Sequence, residues 1–156
     1  MTAIVALRPA TAEDEAMLLE WANDPGTRAA SRSHEPIPPA DHHRWLERRL
    51  TTPDDARIWI GETDGLPVGV VRFERRGPDR VEVSITVGPD ARGRGLARPL
   101  LEAGVVAARA VFGGVTILAD VLPGNDASMR LFHAAGFKPL PVDAGPTPDL
   151  IRLELR

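Results

Sequence analysis

Hydrophobic and polar positions along the chain fall into blocks of two different periods. Ala3 to Leu7 is a β-prone run that stops at Arg8-Pro9. Thr11 stands where an N-cap belongs, and Glu13, Asp14 and Glu15 place negative charge in the first turn that follows. Met17, Leu18 and Trp21 then share one face, so the pattern predicts a helix that ends before Asp24-Pro25-Gly26. Gly26 to Pro39 reads as loop. A second helix is predicted from His42 to Leu50, opened by Ala40 or Asp41, with Trp45, Leu46 and Arg49 at helical spacing.

The period then changes to two. Arg57–Gly61, Pro67–Glu74 and Val81–Val87 read as strands separated by the turns Asp64-Gly65 and Gly77-Pro78-Asp79. In the third, Val81, Val83, Ile85 and Val87 alternate with Glu82, Ser84 and Thr86. These runs predict an antiparallel meander. A long helix follows, ending near Phe112, with Leu101, Val105, Ala108 and Phe112 on its buried face. Val115–Val121 is a further strand, Asn125–Ala135 a helix closed by Gly136, and strands are expected near Phe137–Pro139 and Leu150–Leu155. The predicted order is β-α-α-β-β-β-α-β-α-β-β, an α+β fold with a mixed, mostly antiparallel central sheet flanked by helices. No repeat or linker divides residues 1–156, so a single domain is expected.

Composition narrows the chemistry. The 156 residues contain no Cys, which excludes a thiol nucleophile, a thiolate metal site and a disulfide framework. They contain no Tyr, so no phenol serves as acid or base. A net charge of -3 argues against broad electrostatic binding of nucleic acid. No apolar run approaches the ~18 residues of a membrane span, and the N-terminus lacks a basic, cleavable leader. A cytoplasmic protein with no membrane and no nucleic-acid partner is the expectation.

The segment Arg92-Gly93-Arg94-Gly95-Leu96-Ala97 lies between a strand and a helix. Free amides and the positive dipole end at a helix start attract anions, and two glycines let the backbone approach a pyrophosphate. Arg92 and Arg94 would add charged donors. An ordinary strand-to-helix turn is the competing reading. A dinucleotide-binding fingerprint requires glycine where Arg98 stands, and no Gly-Lys-Ser/Thr triplet exists for a nucleoside-triphosphate loop. Pro99 forfeits a helical bond if the helix begins at Gly95, so the helix either starts later or has a distorted first turn.

Three segments in order resemble the GNAT superfamily of acetyl-CoA-dependent N-acetyltransferases. Glu82–Asp90 resembles that family's fourth strand and its exit turn. Arg92–Ala97 is similar to its pyrophosphate loop. Asn125–Phe137 resembles its Asn-x-x-Ser/Ala-x-x-Leu-Tyr/Phe-x-x-x-Gly-Phe segment. The resemblance implies the GNAT fold and acetyl-CoA as co-substrate. It implies that backbone amides of Arg92, Gly93, Arg94, Gly95, Leu96 and Ala97 cradle the CoA pyrophosphate. The pantetheine arm would pair with Ile85, Thr86 and Val87 in a V-shaped opening between the fourth and fifth strands. Asn125 and Ser128 would face the pantetheine, with Phe132 near its sulfur. One backbone N–H around Ile85–Val87 would polarise the thioester carbonyl.

Acetyl transfer to an amine needs a neutral nitrogen, stabilised oxyanion charge and a proton for the leaving thiolate. Glu82 is the first candidate base, with a cross-strand ion pair to an Arg such as Arg72 as its structural alternative. Asp120 is the second, with a structural turn acid as its alternative. Many relatives place Tyr where Phe132 stands, so the thiolate's proton is expected from water rather than indirectly from Ser128 or from His133. For the acceptor, Asn23-Asp24-Pro25…Arg28…Ser31 followed by His42-His43-Arg44-Trp45 is similar to relatives that acetylate amino sugars on nucleotides. His42 is the expected acceptor contact, and Arg72, Arg75, Arg76 and Arg80 are candidate receivers of an anionic acceptor. No metal is expected, because adjacent histidines on a helix diverge. The expected function is acetyl transfer to a small-molecule primary amine. Acetylation of a protein N-terminus or lysine, and acyl-CoA binding without turnover, are the rivals. A homodimer is left open.

Overall fold

The computed structural model describes residues 4–140 and 150–156. One seven-stranded sheet organises them: β1 (Ala6–Pro9), β2 (Ala56–Thr63), β3 (Leu66–Arg75), β4 (Arg80–Val87), β5 (Thr116–Val121), β6 (Lys138–Pro139) and β7 (Ile151–Leu155), in the spatial order β1-β2-β3-β4-β5-β7-β6. All neighbours are antiparallel except β4 and β5. The helices are α1 (Glu15–Ala22), α2 (Pro25–Ala29), α3 (Pro39–Leu50), α4 (Ala97–Phe112) and α5 (Asp126–Ala134). The expected α+β class and element order hold, with one addition.

That addition is α2, which replaces part of the expected loop at Gly26–Pro39. Asp24 caps it by accepting the Thr27 N–H at 3.2 Å, and Pro25 occupies its first turn. Five residues with no buried side chain leave no periodicity to read, so only the Asp-Pro pair announced the helix. The loop that follows is pinned rather than loose. Asn23 accepts the Ile37 N–H and donates to the Ile37 carbonyl, while Arg28 donates to the carbonyls of Ala22, Ser33 and Glu35. Thr11 caps a single 3-10 turn, Ala12–Asp14, in a reciprocal capping box with Asp14, and α1 starts just beyond it.

The sheet buries different residues on its two faces. Val71, Phe73, Val81 and Val83 pack against Leu100, Leu101 and Ala108 of α4. On the other face Ile58 and Ile60 pack against Leu18, Trp21 and Leu46 of α1 and α3. The period of two therefore turns Arg72, Glu74, Glu82 and Ser84 towards α3, on the side away from α4. Helix α4 begins at Ala97, so Pro99 falls in the first turn, where its missing N–H has no partner to lose.

Close approach of α4 to β3 depends on Gly104. A Cβ there would sit 2.9 Å from both Val71 methyls and 3.3 Å from the Phe73 ring, all fully buried. Gly104→Ala should therefore destabilise by about 1–2 kcal/mol, overpacking outweighing the roughly 1 kcal/mol gain in helix propensity. Denaturant melts check this; a more stable variant would show that the contact has slack.

Candidate active site

The strands β4 and β5 pair only at their beginnings. Arg80, Val81 and Glu82 lie opposite Thr116, Ile117 and Leu118, and beyond them the two strands part. On their far sides pairing continues, β4 with β3 to Val87 and β5 with β7 to Val121. Val83–Val87 thus present one unpartnered backbone edge to a cleft of about 770 Å³, which also touches Asn125, Ser128 and Phe132. The expected V-shaped opening is there, with Ile85, Thr86 and Val87 along its wall.

One arm of the cleft ends at the turn into α4. Gly93 and Gly95 take left-handed backbone angles, φ 76° and 70°, with nothing within 4 Å of a would-be Cβ. Leu96 anchors the turn in the core, and the amides of Ala97 and Arg98 stand before the first intrahelical bond, Leu100 N–H to the Leu96 carbonyl. Arg92 does not stand free as an anion donor here. Its guanidinium reaches across to Asp24 at 2.6 Å and the Thr27 hydroxyl at 3.2 Å, joining this turn to α2. That contact, with a backbone hydrogen bond from Thr27, outweighs desolvation and holds the Asp24 carboxyl below its usual range. Arg94 lies on a separate small hollow beside Trp21. Asn125 caps α5 by accepting the Ser128 N–H at 3.2 Å, and Phe132 packs edge-on against Phe137, centroids 5.1 Å apart.

Where the strands part, the two candidate carboxylates come together in a cluster of arginines. Asp120, its side chain 4% exposed, accepts two hydrogen bonds from Arg152 at 2.7 and 2.8 Å and one from Arg32 at 2.7 Å. Glu82 stands 3.4 Å from Arg76, 3.5 Å from Arg32 and 3.8 Å from Arg152. Burial alone would raise the Asp120 carboxyl, but the hydrogen bonds from Arg152 and the charges of Arg152 and Arg32 override it and hold it below its ordinary range. The ion-pair alternative for Glu82 is met by Arg32, Arg76 and Arg152 and not by Arg72: the residue opposite Glu82 on β3 is Glu74, and Arg72 lies opposite Ser84. Arg72 instead lies over the Trp45 ring, 5.0 Å from its centroid, and 3.4 Å from Glu74.

A second chamber of about 330 Å³ opens beside the cleft, under α1–α3, sharing Ser84, Thr86, Arg72 and Trp45 with it. His42 lines this chamber, nearly buried, with its ring tilted against Trp45 and its Nδ1 without a partner among the described residues. Burial pushes the imidazole below its usual value, Glu15 opposes this and the Arg72 charge adds to it, so His42 is the neutral form. His43 points away, to Glu15 at 2.5 Å. Of the other hairpin arginines, Arg75 packs over Phe112 and donates to the Asp54 and Pro78 carbonyls, outside both cavities. Arg80 borders neither cavity. No group of three metal-ligating side chains occurs among the described residues.

Residues 5–138 match the family model for the acetyltransferase (GNAT) domain. The chain belongs to the GNAT acetyltransferase family. Solved structures agree across nearly the whole chain. The protein yncA of Salmonella typhimurium, solved with its cofactor acetyl-CoA, is 26% identical and superposes with a TM-score of 0.78 over 97% of this chain and 93% of that one. An N-acetyltransferase from Staphylococcus aureus Mu50 is 27% identical, TM-score 0.78, with 97% of each chain covered. A ribosomal-protein-alanine N-acetyltransferase from Brucella melitensis is 25% identical, TM-score 0.79, covering 96% of this chain and 98% of its own. No curated protein matches the chain by sequence.

Sequence reasoning missed Arg32, Arg49, Glu74 and Arg152 as neighbours of this GNAT cleft. Arg32 and Arg152 lie 88 and 32 residues from Asp120, and no local pattern encodes such pairs. Arg49 and Glu74 were readable only as charges at helix and strand spacing. Because Asp120 is held deprotonated, its share of stability is present above the unfolded carboxyl value of about 4 and lost as pH falls through the lower folded value. Asp120→Asn should remove that acid-side loss and cost about 2–3 kcal/mol at pH 7, reduced from a fully buried pair because water reaches Arg32. Urea melts between pH 3 and 7 measure both; a wild-type slope retained in the variant would remove Asp120 from this role.

Proposed function

We propose that this GNAT protein transfers the acetyl group of acetyl-CoA to a primary amine of a small molecule. The observation that carries the reading is the parted β4 edge, which runs from the glycine turn of α4 to a carboxylate at its apex. The residues fit the co-substrate: amides of Arg92–Ala97 suit a pyrophosphate, and the free edge at Ile85–Val87 suits the amide-bearing pantetheine arm. Asn125, Ser128 and Phe132 flank that arm from α5.

At the apex the amine nitrogen meets the thioester carbonyl. An alkylammonium of pKa about 10 must first lose a proton, and Glu82 receives it directly or through one water. The nitrogen then bonds to the carbonyl carbon while a backbone N–H of Ile85–Val87 stabilises charge on the oxygen. The C–S bond breaks, the nitrogen gives its second proton to water, and the thiolate takes a proton from water. Phe132 donates none; its ring keeps the sulfur end of the cleft dry. Asp120 orients Arg32 and Arg152 around Glu82 and is itself too well paired to act as base. His42, neutral and with Nδ1 unspent, is an acceptor-binding group in the inner chamber. The inner chamber of about 330 Å³ suits a small molecule, and a nucleotide-linked amino sugar is one such acceptor.

Two results test this. Gly95→Val, which forces a branched side chain into φ 70°, should weaken acetyl-CoA binding at least tenfold by calorimetry while the thermal melt stays cooperative. Undiminished affinity would move the pyrophosphate elsewhere. Glu82→Gln should lower kcat about 100-fold near pH 7 and recover part of the loss near pH 10, where the amine is already neutral. A pH profile parallel to wild type would assign the base to another group.

A further inference from the structure

The apex of the cleft holds more positive charge than its carboxylates neutralise, and the surplus faces the cavity. Glu74, Glu82 and Asp120 are approached within 4 Å by five guanidiniums, Arg32, Arg49, Arg72, Arg76 and Arg152. A purely structural ion cluster would end near neutrality, yet this one is left two charges positive in a chain of net charge -3. The carboxylates are the buried members, at 4–15% side-chain exposure, whereas Arg32, Arg72 and Arg76 keep 40–58%. The surface met by an incoming molecule is therefore cationic.

Two of these arginines have donors to spare. Arg72 is held from behind by the Trp45 ring and approaches Glu74 only at 3.4 Å. Arg49 donates to Glu74 at 3.1 Å, but its Nε is buried without a partner among the described residues. The Trp45 ring covers one side of the Arg72 guanidinium, and the remaining N–H donors suit bidentate capture of an oxyanion. Arg72 sits opposite Ser84, on the same face of the sheet as Glu74 and Glu82, and Arg72, Arg49 and Glu82 line one cleft.

We propose that the acceptor is an amine that also carries an anionic group, a carboxylate or a phosphate, bound by Arg72 and Arg49 while its nitrogen lies at Glu82. This rests on the acetyl-transfer reading above and adds the charge class of the acceptor. A short amino acid or an aminoalkyl phosphate carries both groups within one small molecule. A polyamine would bring further positive charge to a site already in positive excess.

Thiol release from acetyl-CoA, measured with the standard amino acids, short aminoalkyl phosphates and the corresponding amines lacking the acid, tests the inference. Anionic amines should show kcat/KM at least tenfold above their neutral and dicationic counterparts, and the two acid series separate carboxylate from phosphate. Arg72→Gln should raise the KM of the anionic acceptor about 10- to 100-fold, the loss of a charge-assisted contact, with the KM of acetyl-CoA unmoved and partial rescue by Arg72→Lys. Equal or faster turnover of diamines would overturn the inference while leaving acetyl transfer intact. If no amine is acetylated although acetyl-CoA binds, the transfer reading fails. Calorimetry of the same acids on the CoA-saturated protein then decides: binding lost in Arg72→Gln upholds the anion site, and no binding overturns it.

Discussion

A strand that loses its neighbour in the middle of a sheet exposes main-chain donors and acceptors that would ordinarily be satisfied. In this protein β4 and β5 share three residue pairs and then diverge, while each keeps its other neighbour to the end. The far-side pairing keeps the two edges in place. The result is a rigid wall with unsatisfied hydrogen-bonding capacity on one side, the kind of surface that accepts an extended, amide-bearing ligand as an additional strand. The turn into α4 and the capped start of α5 stand at its rim because both follow directly from these strands. The apex is where Glu82 and Asp120 meet for the same reason: they sit at the last paired rung of β4 and just past it on β5.

The chemistry at that apex depends on how charge is distributed between buried and accessible atoms. Asp120 is buried, and its pairing with Arg152 and Arg32 outweighs the desolvation that would neutralise it. It therefore works as an anchor for arginines. Glu82 shares those arginines at longer distances, 3.4 to 3.8 Å. Arg92 performs a comparable linking role at the other end, tying the glycine turn to α2 through Asp24. The pinned segment between Asn23 and Ile37 carries Arg32 across the cleft, so α2 and the loop after it are tied to the α4 turn and to β4 and β5 through named ion pairs.

Much of this was legible in the order of residues. Alternation in Val81–Val87 placed Glu82 and Ser84 opposite the apolar face, and the glycine spacing at 93 and 95 marked the turn correctly. Pro99 signalled the late start of α4, which begins at Ala97. What could not be read were relations between distant segments. Strand register decides that Glu82 faces Glu74 and not Arg72, a shift of one pleat that alternation cannot detect. The short helix α2 lacks an apolar face, and Arg32 and Arg152 reach Asp120 from opposite ends of the chain. The absence of Tyr kept its meaning throughout: Phe132 lines the cleft and offers no proton.

The central claim is that the open edge of β4 and the α4 turn seat acetyl-CoA. Amide hydrogen exchange with and without acetyl-CoA tests it most directly. Slowed exchange concentrated in Val83–Val87 and in Gly93–Arg98 is the predicted result. Saturating binding that leaves both segments unchanged and protects amides elsewhere would contradict it.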